Sequence, residues 1–179
     1  MGKLYFVRHG ESEWNVLKKI CGQTDIPLTD KGREQARISG AKILERGIRA
    51  DEIWCSPLQR AKETAEIIAG ITGLPVRVEP RLIEQNFGSY EGKPWDTEDF
   101  FNSKQRFADD YDGGESMLRV AQRIYNVIDD VKASGKTIIL AAHNGIVRSV
   151  QSYFYSETNE EYAGFGIPNC EVVEYTWED

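Results

Sequence analysis

Apolar runs of strand length alternate along the chain with segments whose apolar residues recur at helical spacing. This alternation predicts an α/β fold, a three-layer α/β/α sandwich around a mostly parallel central sheet. Two runs carry the prediction: Leu4-Tyr5-Phe6-Val7 and Thr137 to Ala142 are apolar almost throughout, as strands covered on both faces are. A third observation is the segment after Ser116, where Val120, Ile124, Val127, Ile128 and Val131 hold a 3.6-residue period as far as Gly135. With 179 residues, 40% of them hydrophobic and 28% charged, the sequence reads as one soluble domain over residues 1–179. A chain of this length buries roughly two thirds of its unfolded surface, which makes disulfide or metal staples unnecessary and excludes disorder as the main state.

The elements follow in order. Leu4 to Val7 is a buried strand closed by Arg8-His9-Gly10, which leaves His9 at its carboxyl end. Thr29 is an N-cap for an amphipathic helix carrying Ala36, Gly40, Ile43 and Leu44, with Gly47 where helices commonly stop. Ile53-Trp54-Cys55 is a second buried strand. Ser56-Pro57, with Gln59 three residues after Ser56, predicts a capping box with Pro57 in the first helical position of a helix reaching about Gly73. Val76 to Val78 is a short strand closed by Pro80, and Leu82 to Gly92 is a functional loop without periodicity. Residues 93–114 carry Trp95, Phe100, Phe101, Phe107 and Tyr111 in no clean period and read as a lid-like insertion. After the strand ending at Ala142 come His143-Asn144-Gly145, a helix with Ile146, Val147, Val150, Tyr153 and Phe154, and a last strand from Glu171 to Thr176.

Twenty-two Lys and Arg stand against 29 Asp and Glu, a net charge of −7, which argues against partners such as nucleic acid or an anionic membrane held through a broad basic surface. No apolar run approaches the roughly 18 residues of a membrane span, and Leu4 to Val7 is too short for a secretory leader. The three cysteines, Cys21, Cys55 and Cys170, are odd in number and far apart, so a reduced, cytoplasmic setting is expected and neither a disulfide framework nor a zinc site is.

The chain has two histidines, and both follow the carboxyl ends of predicted buried strands, where open α/β sheets place their ligand crevice. Arg8 adjoins His9, and Arg60 falls in the first turn of the helix after the second strand, so two guanidiniums and two imidazoles can converge on one anion. The planar fork of arginine and the amino end of a helix both suit phosphate or carboxylate. A lone loop histidine or surface arginine is ordinary; four cationic groups on one rim are not.

Arg8-His9-Gly10-Glu11 with Asn15, then Leu28-Thr29, Gly32 and Gln35-Ala36, then Ser56-Pro57-Leu58, Arg60-Ala61 and Thr64-Ala65 resemble the histidine phosphatase superfamily, also called the phosphoglycerate mutase-like family. Leu82-Ile83-Glu84, Phe87-Gly88, Glu91-Gly92, Gly114-Glu115-Ser116 and His143 continue the resemblance in order over roughly residues 4–150. It implies that His9 is the nucleophile, forming a phosphohistidine, and that Arg8, Arg60 and His143 hold the transferring oxygens. Glu84 stands at the position of the general acid and base, and its pKa is expected to be raised by burial. Asn15 resembles the family's amide at the phosphoryl group, and Gln23, Thr24 and Asn144 are further substrate-binding candidates. Glu11 and Ser12 are expected to organise the loop. Neither a metal ion nor another cofactor is required.

The family divides between hydrolases and mutases. Mutases hold a second phosphate and a carboxylate through a longer, arginine-bearing insertion, whereas residues 93–112 carry three bases against six acids, a net of −3. Such a segment is expected to repel multiply charged substrates. Phe87 stands where mutases typically have tyrosine, and Ala142 where relatives often have a small hydroxyl residue. A metal-independent phosphomonoester hydrolase is therefore expected, with a phosphoglycerate mutase or a non-catalytic phospho-ligand binding module as alternatives. The insertion's aromatics suit an apolar or ring-bearing leaving group, or equally the docking of the insertion on the core. Oligomeric state is left open.

Overall fold

The computed structural model describes residues 1–178. Its strands are β1 (Gly2–Arg8), β2 (Glu52–Cys55), β3 (Val76–Val78), β4 (Ile138–Ala142) and β5 (Val172–Trp177). They form one sheet in the order β3-β2-β4-β1-β5, parallel except for β5, which runs antiparallel to β1. The helices are α1 (Glu13–Val16), α2 (Asp30–Glu45), α3 (Gln59–Thr72), α4 (Glu98–Ser103), α5 (Met117–Ser134), α6 (Asn144–Phe154) and α7 (Asn159–Gly164).

Side chains of a strand alternate between faces, and the two faces are covered by different helices. Leu4, Phe6, Ile138 and Leu140 pack with Val120, Ile124, Val127, Ile128 and Val131 of α5 and with Ile146, Val147 and Val150 of α6. Tyr5, Val7, Ile139 and Ala141 face the other way, against Ile43 of α2 and Ala65 and Ile68 of α3. The result is the three-layer α/β/α arrangement expected from the sequence, and each fully buried aliphatic side chain contributes about 1.5–3 kcal/mol.

Thr29 and Ser116 cap α2 and α5 with their side chains, accepting from Gly32 N and Arg119 N, and Gly135 ends α5 with a φ of 66°. The start of α3 departs from expectation. Leu58, not Ser56, is its N-cap residue, it has no side-chain cap, and the helix begins at Gln59, beyond Pro57. Asp25 supplies the missing acceptor from another segment, taking the Gln59 N–H at 2.8 Å. Ser56 is thereby free for another partner. The segment 93–114 is less irregular than its pattern suggests, because Thr97 caps α4 through Phe100 N. Phe100 and Tyr111 are buried against Phe87 at ring separations of 5.4 and 6.0 Å, so these aromatics dock the segment on the core.

Candidate active site

Parallel pairing sets Arg8 at the end of β1 opposite Ala142 at the end of β4. The next residue on each strand is a histidine, so His9 and His143 leave the sheet side by side, with ring centroids 5.2 Å apart. Cys55 of β2 pairs with Ala141, which brings Ser56 to His143, and Ser56 Oγ lies 2.7 Å from His143 Nε2. The Ser56 hydroxyl also accepts the Leu58 N–H, so the residue read as a helix cap is instead a brace for the second histidine. The loop after His9 turns tightly against α2: a side chain on either Gly10 or Gly32 would run into backbone, Gly32 in the first case and Glu11 in the second.

His9 Nδ1 is 2.7 Å from the Gly10 carbonyl oxygen. A carbonyl only accepts, so Nδ1 carries the hydrogen and Nε2 keeps its lone pair. Burial, then the Arg60 and Arg8 guanidiniums, hold the His9 pKa well below the ordinary imidazole value. His143 is held low in the same way, by burial first and then by Arg60 and His9. Both rings are neutral near pH 7.

Beside His9 lies a cavity of about 190 Å³ whose wall includes Arg8, Asn15, Glu84, Asn144, Gly145 and Arg148. Glu84 reaches it after the turn Pro80–Leu82, and its carboxyl oxygens accept the Gln85 N–H at 2.8 Å and the Gly145 N–H at 3.0 Å. Burial raises the Glu84 pKa, and outweighs the lowering by these two donors and by Arg60 and Arg148. Gly145 is required at this contact, since a Cβ there would collide with Glu84 Oε1.

Three buried or nearly buried guanidiniums surround the two rings, and none forms an ion pair among the described residues. Arg8 donates to the Ile167 carbonyl at 2.7 Å, Arg60 to those of Thr24 and Gly22 at 3.0 and 2.7 Å, and Arg148 to that of Phe165 at 3.2 Å. Arg8 Nε, Arg60 Nε, His143 Nδ1 and Arg148 Nη1 are buried without a hydrogen-bond partner. Buried polar atoms are rarely orphaned, and four donor-capable groups left so, two on the cavity wall and two behind it, fit an anion as the occupant. Desolvation lowers the Arg8 pKa to about 10, which leaves it charged.

The sequence-level candidates are placed as follows. His9, Arg8, Glu84, Asn15 and Asn144 are on the cavity wall. Arg60 and His143, both fully buried, stand behind it. Asn15 is fixed by Ser12 N and by Asn169 Nδ2, and the reciprocal Ser12–Asn15 capping box orders α1. Gln23 and Thr24 do not line the cavity; Gln23 Nε2 donates to the Glu84 carbonyl at 3.1 Å and the Thr24 hydroxyl to Glu91 at 2.8 Å. Glu91 also accepts the N–H groups of Gly22, Gln23 and Phe87, so it knots the loop that braces Arg60.

The sequence does not single out Arg148 or Lys104, and Ser56 enters it only as a helix start and a motif residue, not as a brace for His143. Arg148 had a signal: four residues after Asn144 on one helix, it must share that residue's face. Lys104 had none, lying in the segment without periodicity. Its ammonium sits 4.6 Å over the Phe100 ring, and burial, then Arg148, bring its pKa down to about 7. Among the described residues no group of three or more His, Cys, Asp or Glu is arranged to hold a metal ion, and no helix is long and apolar enough to cross a membrane.

Comparison with known proteins gives a consistent result. The sequence model of the histidine phosphatase superfamily (branch 1) matches residues 4–179. GpmB of Escherichia fergusonii, named a probable phosphoglycerate mutase, is 39% identical over 135 residues, 72% of this chain but only 62% of that protein's length. Its namesake from Yersinia pestis is 34% identical over 151 residues, 79% of this chain and 69% of that protein. Among solved structures, a mycobacterial glucosyl-3-phosphoglycerate phosphatase in complex with VO3 superposes with a TM-score of 0.85 at 26% identity, covering 97% of this chain and 90% of that one. A mutant phosphoserine phosphatase of Entamoeba histolytica in complex with phosphoserine gives 0.84 at 29% identity, covering 99% and 92%.

Proposed function

The chain belongs to the histidine phosphatase superfamily (branch 1), and from that premise we propose that it hydrolyses small phosphomonoesters through a phosphohistidine on His9, with Glu84 as general acid and base. The observation that carries this reading is a pair of titratable groups on one cavity pushed apart by their surroundings: an imidazole held neutral beside arginines, and a buried carboxyl held toward its protonated form. In the first step the His9 Nε2 lone pair attacks phosphorus, the ester P–O bond breaks, and the leaving oxygen takes the Glu84 proton. In the second, Glu84 takes a proton from water, the hydroxide oxygen bonds phosphorus, and the P–N bond breaks to return neutral His9 and inorganic phosphate. Arg8, Arg60 and the unpartnered His143 Nδ1 stabilise the charge on the transferring oxygens, the electrostatic contribution that dominates phosphoryl transfer.

The chemistry needs neither a metal nor another cofactor. The test is turnover of a panel of phosphomonoesters with a chelator present, His9→Ala as control, and trapping of an acid-labile phosphoenzyme. Turnover and label that are both lost in His9→Ala support the mechanism, whereas activity that a chelator abolishes refutes it. A phosphoglycerate mutase is the second reading, favoured by the names of the two GpmB relatives. Phosphoryl exchange with bisphosphoglycerate, in the absence of ester hydrolysis, selects it.

A further inference from the structure

We propose that Arg123, a residue of α5 that is not on the cavity wall, positions Glu84 for proton transfer by clamping both ends of the segment that carries it. The proposal rests on the hydrolase reading for what Glu84 does, and on contacts alone for how Glu84 is held. Residues 83–87 follow the turn Pro80–Leu82 and belong to no helix or strand, so the Glu84 carboxyl is placed only as well as this stretch is tied down. One guanidinium reaches it from both sides. At the entry, Arg123 Nη1 donates to the Arg81 carbonyl oxygen. At the exit, Arg123 Nε and Nη2 donate to the two Glu115 carboxylate oxygens, each at 2.8 Å. The Glu115 backbone carries the hold onward: its N–H donates to the Asn86 carbonyl at 2.9 Å, and its carbonyl accepts from Gln85 Nε2 at 2.9 Å. Arg81 adds a second tie to α5 through Asp130 at 2.8 Å.

The guanidinium fork is what this place requires. A lysine would supply a point charge to the carboxylate or to the Arg81 carbonyl, and would not meet all three acceptors in fixed geometry. The Arg123 and Glu115 side chains are 17% and 18% exposed, too shielded for the pair to count as a weak surface bridge, and removing the cation leaves a carboxylate largely out of water without its partner. The triplet Gly114-Glu115-Ser116, which stands out in the sequence and has no other part in the site, is accounted for by the same clamp. A Cβ on Gly114 would strike the Asn86 carbonyl oxygen, so glycine lets the two segments meet. Ser116 caps α5, the helix that presents Arg123. Glu115 joins the two. Arg123 also contributes to the field that lowers the His143 pKa, after burial, Arg60 and His9. That field acts on the transferring phosphoryl group whatever the leaving group, whereas a displaced Glu84 is felt by an ester whose alcohol needs a proton, so the two effects are separable.

The test is Arg123→Ala, assayed on an alkyl phosphate and on nitrophenyl phosphate, whose leaving group needs no proton. For the alkyl ester kcat/KM is expected to fall roughly 10²-fold, as when a group is misplaced by about 1 Å, while for the nitrophenyl ester it hardly changes. In the Glu84→Gln protein the same substitution should remove no further alkyl ester activity, because the group it acts through is already gone. Equal losses on the two esters, or a full second loss in the Glu84→Gln background, overturn the positioning role. Glu115→Gln keeps the backbone ties and decides the matter should Arg123→Ala not fold: it should lower the ratio of alkyl to nitrophenyl kcat/KM in the same direction, and an unmoved ratio overturns the proposal. Hydrogen exchange at Gln85 and Gly145 gives a readout without turnover. Both N–H groups donate to Glu84, and Gly145, in the first turn of α6, has no acceptor within its own helix. In Arg123→Ala their protection should drop by more than that of the β4 amides; an unchanged pattern, or a uniform loss, refutes the clamp. The selective drop in a protein that hydrolyses no ester leaves the clamp standing and refutes the hydrolase reading.

Discussion

Replacing Glu84 by glutamine separates the two steps assigned to it. Both carboxyl oxygens are engaged, with Gln85 N at 2.8 Å and Gly145 N at 3.0 Å. An amide offers one acceptor, so one buried N–H is left facing an NH₂ group, at a cost of about 1–3 kcal/mol. For a chain of this size that lowers the melting temperature by roughly 2–12 °C. Loss of the proton donor should reduce kcat/KM for an alkyl phosphate by roughly 10²–10⁴-fold, the usual contribution of a positioned acid. A nitrophenyl phosphate leaves without needing a proton, so its kcat/KM should hardly fall. Its second step still lacks a base, and stopped-flow recording should show a burst of one equivalent of nitrophenolate followed by slow turnover. Equal losses in kcat/KM for the two esters, or a nitrophenyl reaction without a burst, would refute the assignment of both roles to Glu84.

Gly145→Ala should push the carboxyl of Glu84 off its backbone donor, and a displacement of this order is expected to cost roughly 10²-fold in alkyl phosphate turnover, measured by steady-state kinetics beside the nitrophenyl ester. The two depressed imidazoles make stability pH-dependent with a definite sign: their contribution is complete above about pH 6.5 and is lost as the pH falls below it, since the unfolded chain then binds the protons more readily. Glu84, shifted upward, acts in the opposite sense over part of the window, so urea unfolding between pH 7 and 5 should show a net loss of stability as the pH falls, two imidazoles outweighing one carboxyl. A flat profile there would contradict the buried neutral rings. Asp25→Ala removes the borrowed cap of α3 and should lower stability by about 0.5–2 kcal/mol, seen as a shift in the urea midpoint at constant slope; no shift would mean that solvent replaces the cap.

What was legible in the sequence was local. Apolar runs and 3.6-residue periods located β1, β2, β4, α2 and α5, and the caps Thr29, Ser116 and Gly135 are satisfied within a turn of their own positions. Parallel register sets Arg8, His9 and His143 together at one sheet edge, and Arg60 and Glu84 reach it through the segments that follow β2 and β3. Legibility failed where a residue's partner lies far along the chain. Ser56, Pro57 and Gln59 have the spacing of a helix start, yet the Ser56 hydroxyl serves His143, 87 residues away, and Asp25 caps the helix from 34 residues away. Gln23 and Thr24 fall near the pocket in sequence and hold the loop behind it in space, through Glu91. The capping box of Thr158 and Glu161 that begins α7 was present as a local signal and is read correctly only once the helix is seen.

The same electrostatic arrangement lets a chain with a net charge of −7 build the anion site proposed for it. Glu84 is the one carboxyl on the wall of the inner cavity among the described residues, against Arg8 and Arg148 on the wall and Arg60 behind it. Burying charges without counterions is costly, and the fold reduces the cost by pointing carbonyls of Ile167, Gly22, Thr24 and Phe165 at the guanidiniums. Carboxylates in those places would stabilise the arginines more, but they would also raise the His9 pKa and occupy the donors that a phosphoryl group needs. Neutral bracing does neither. The field that disfavours a proton on His9 Nε2 is therefore the field that would attract a phosphoryl group, and the neutral nucleophile and the anion site proposed here have one physical origin.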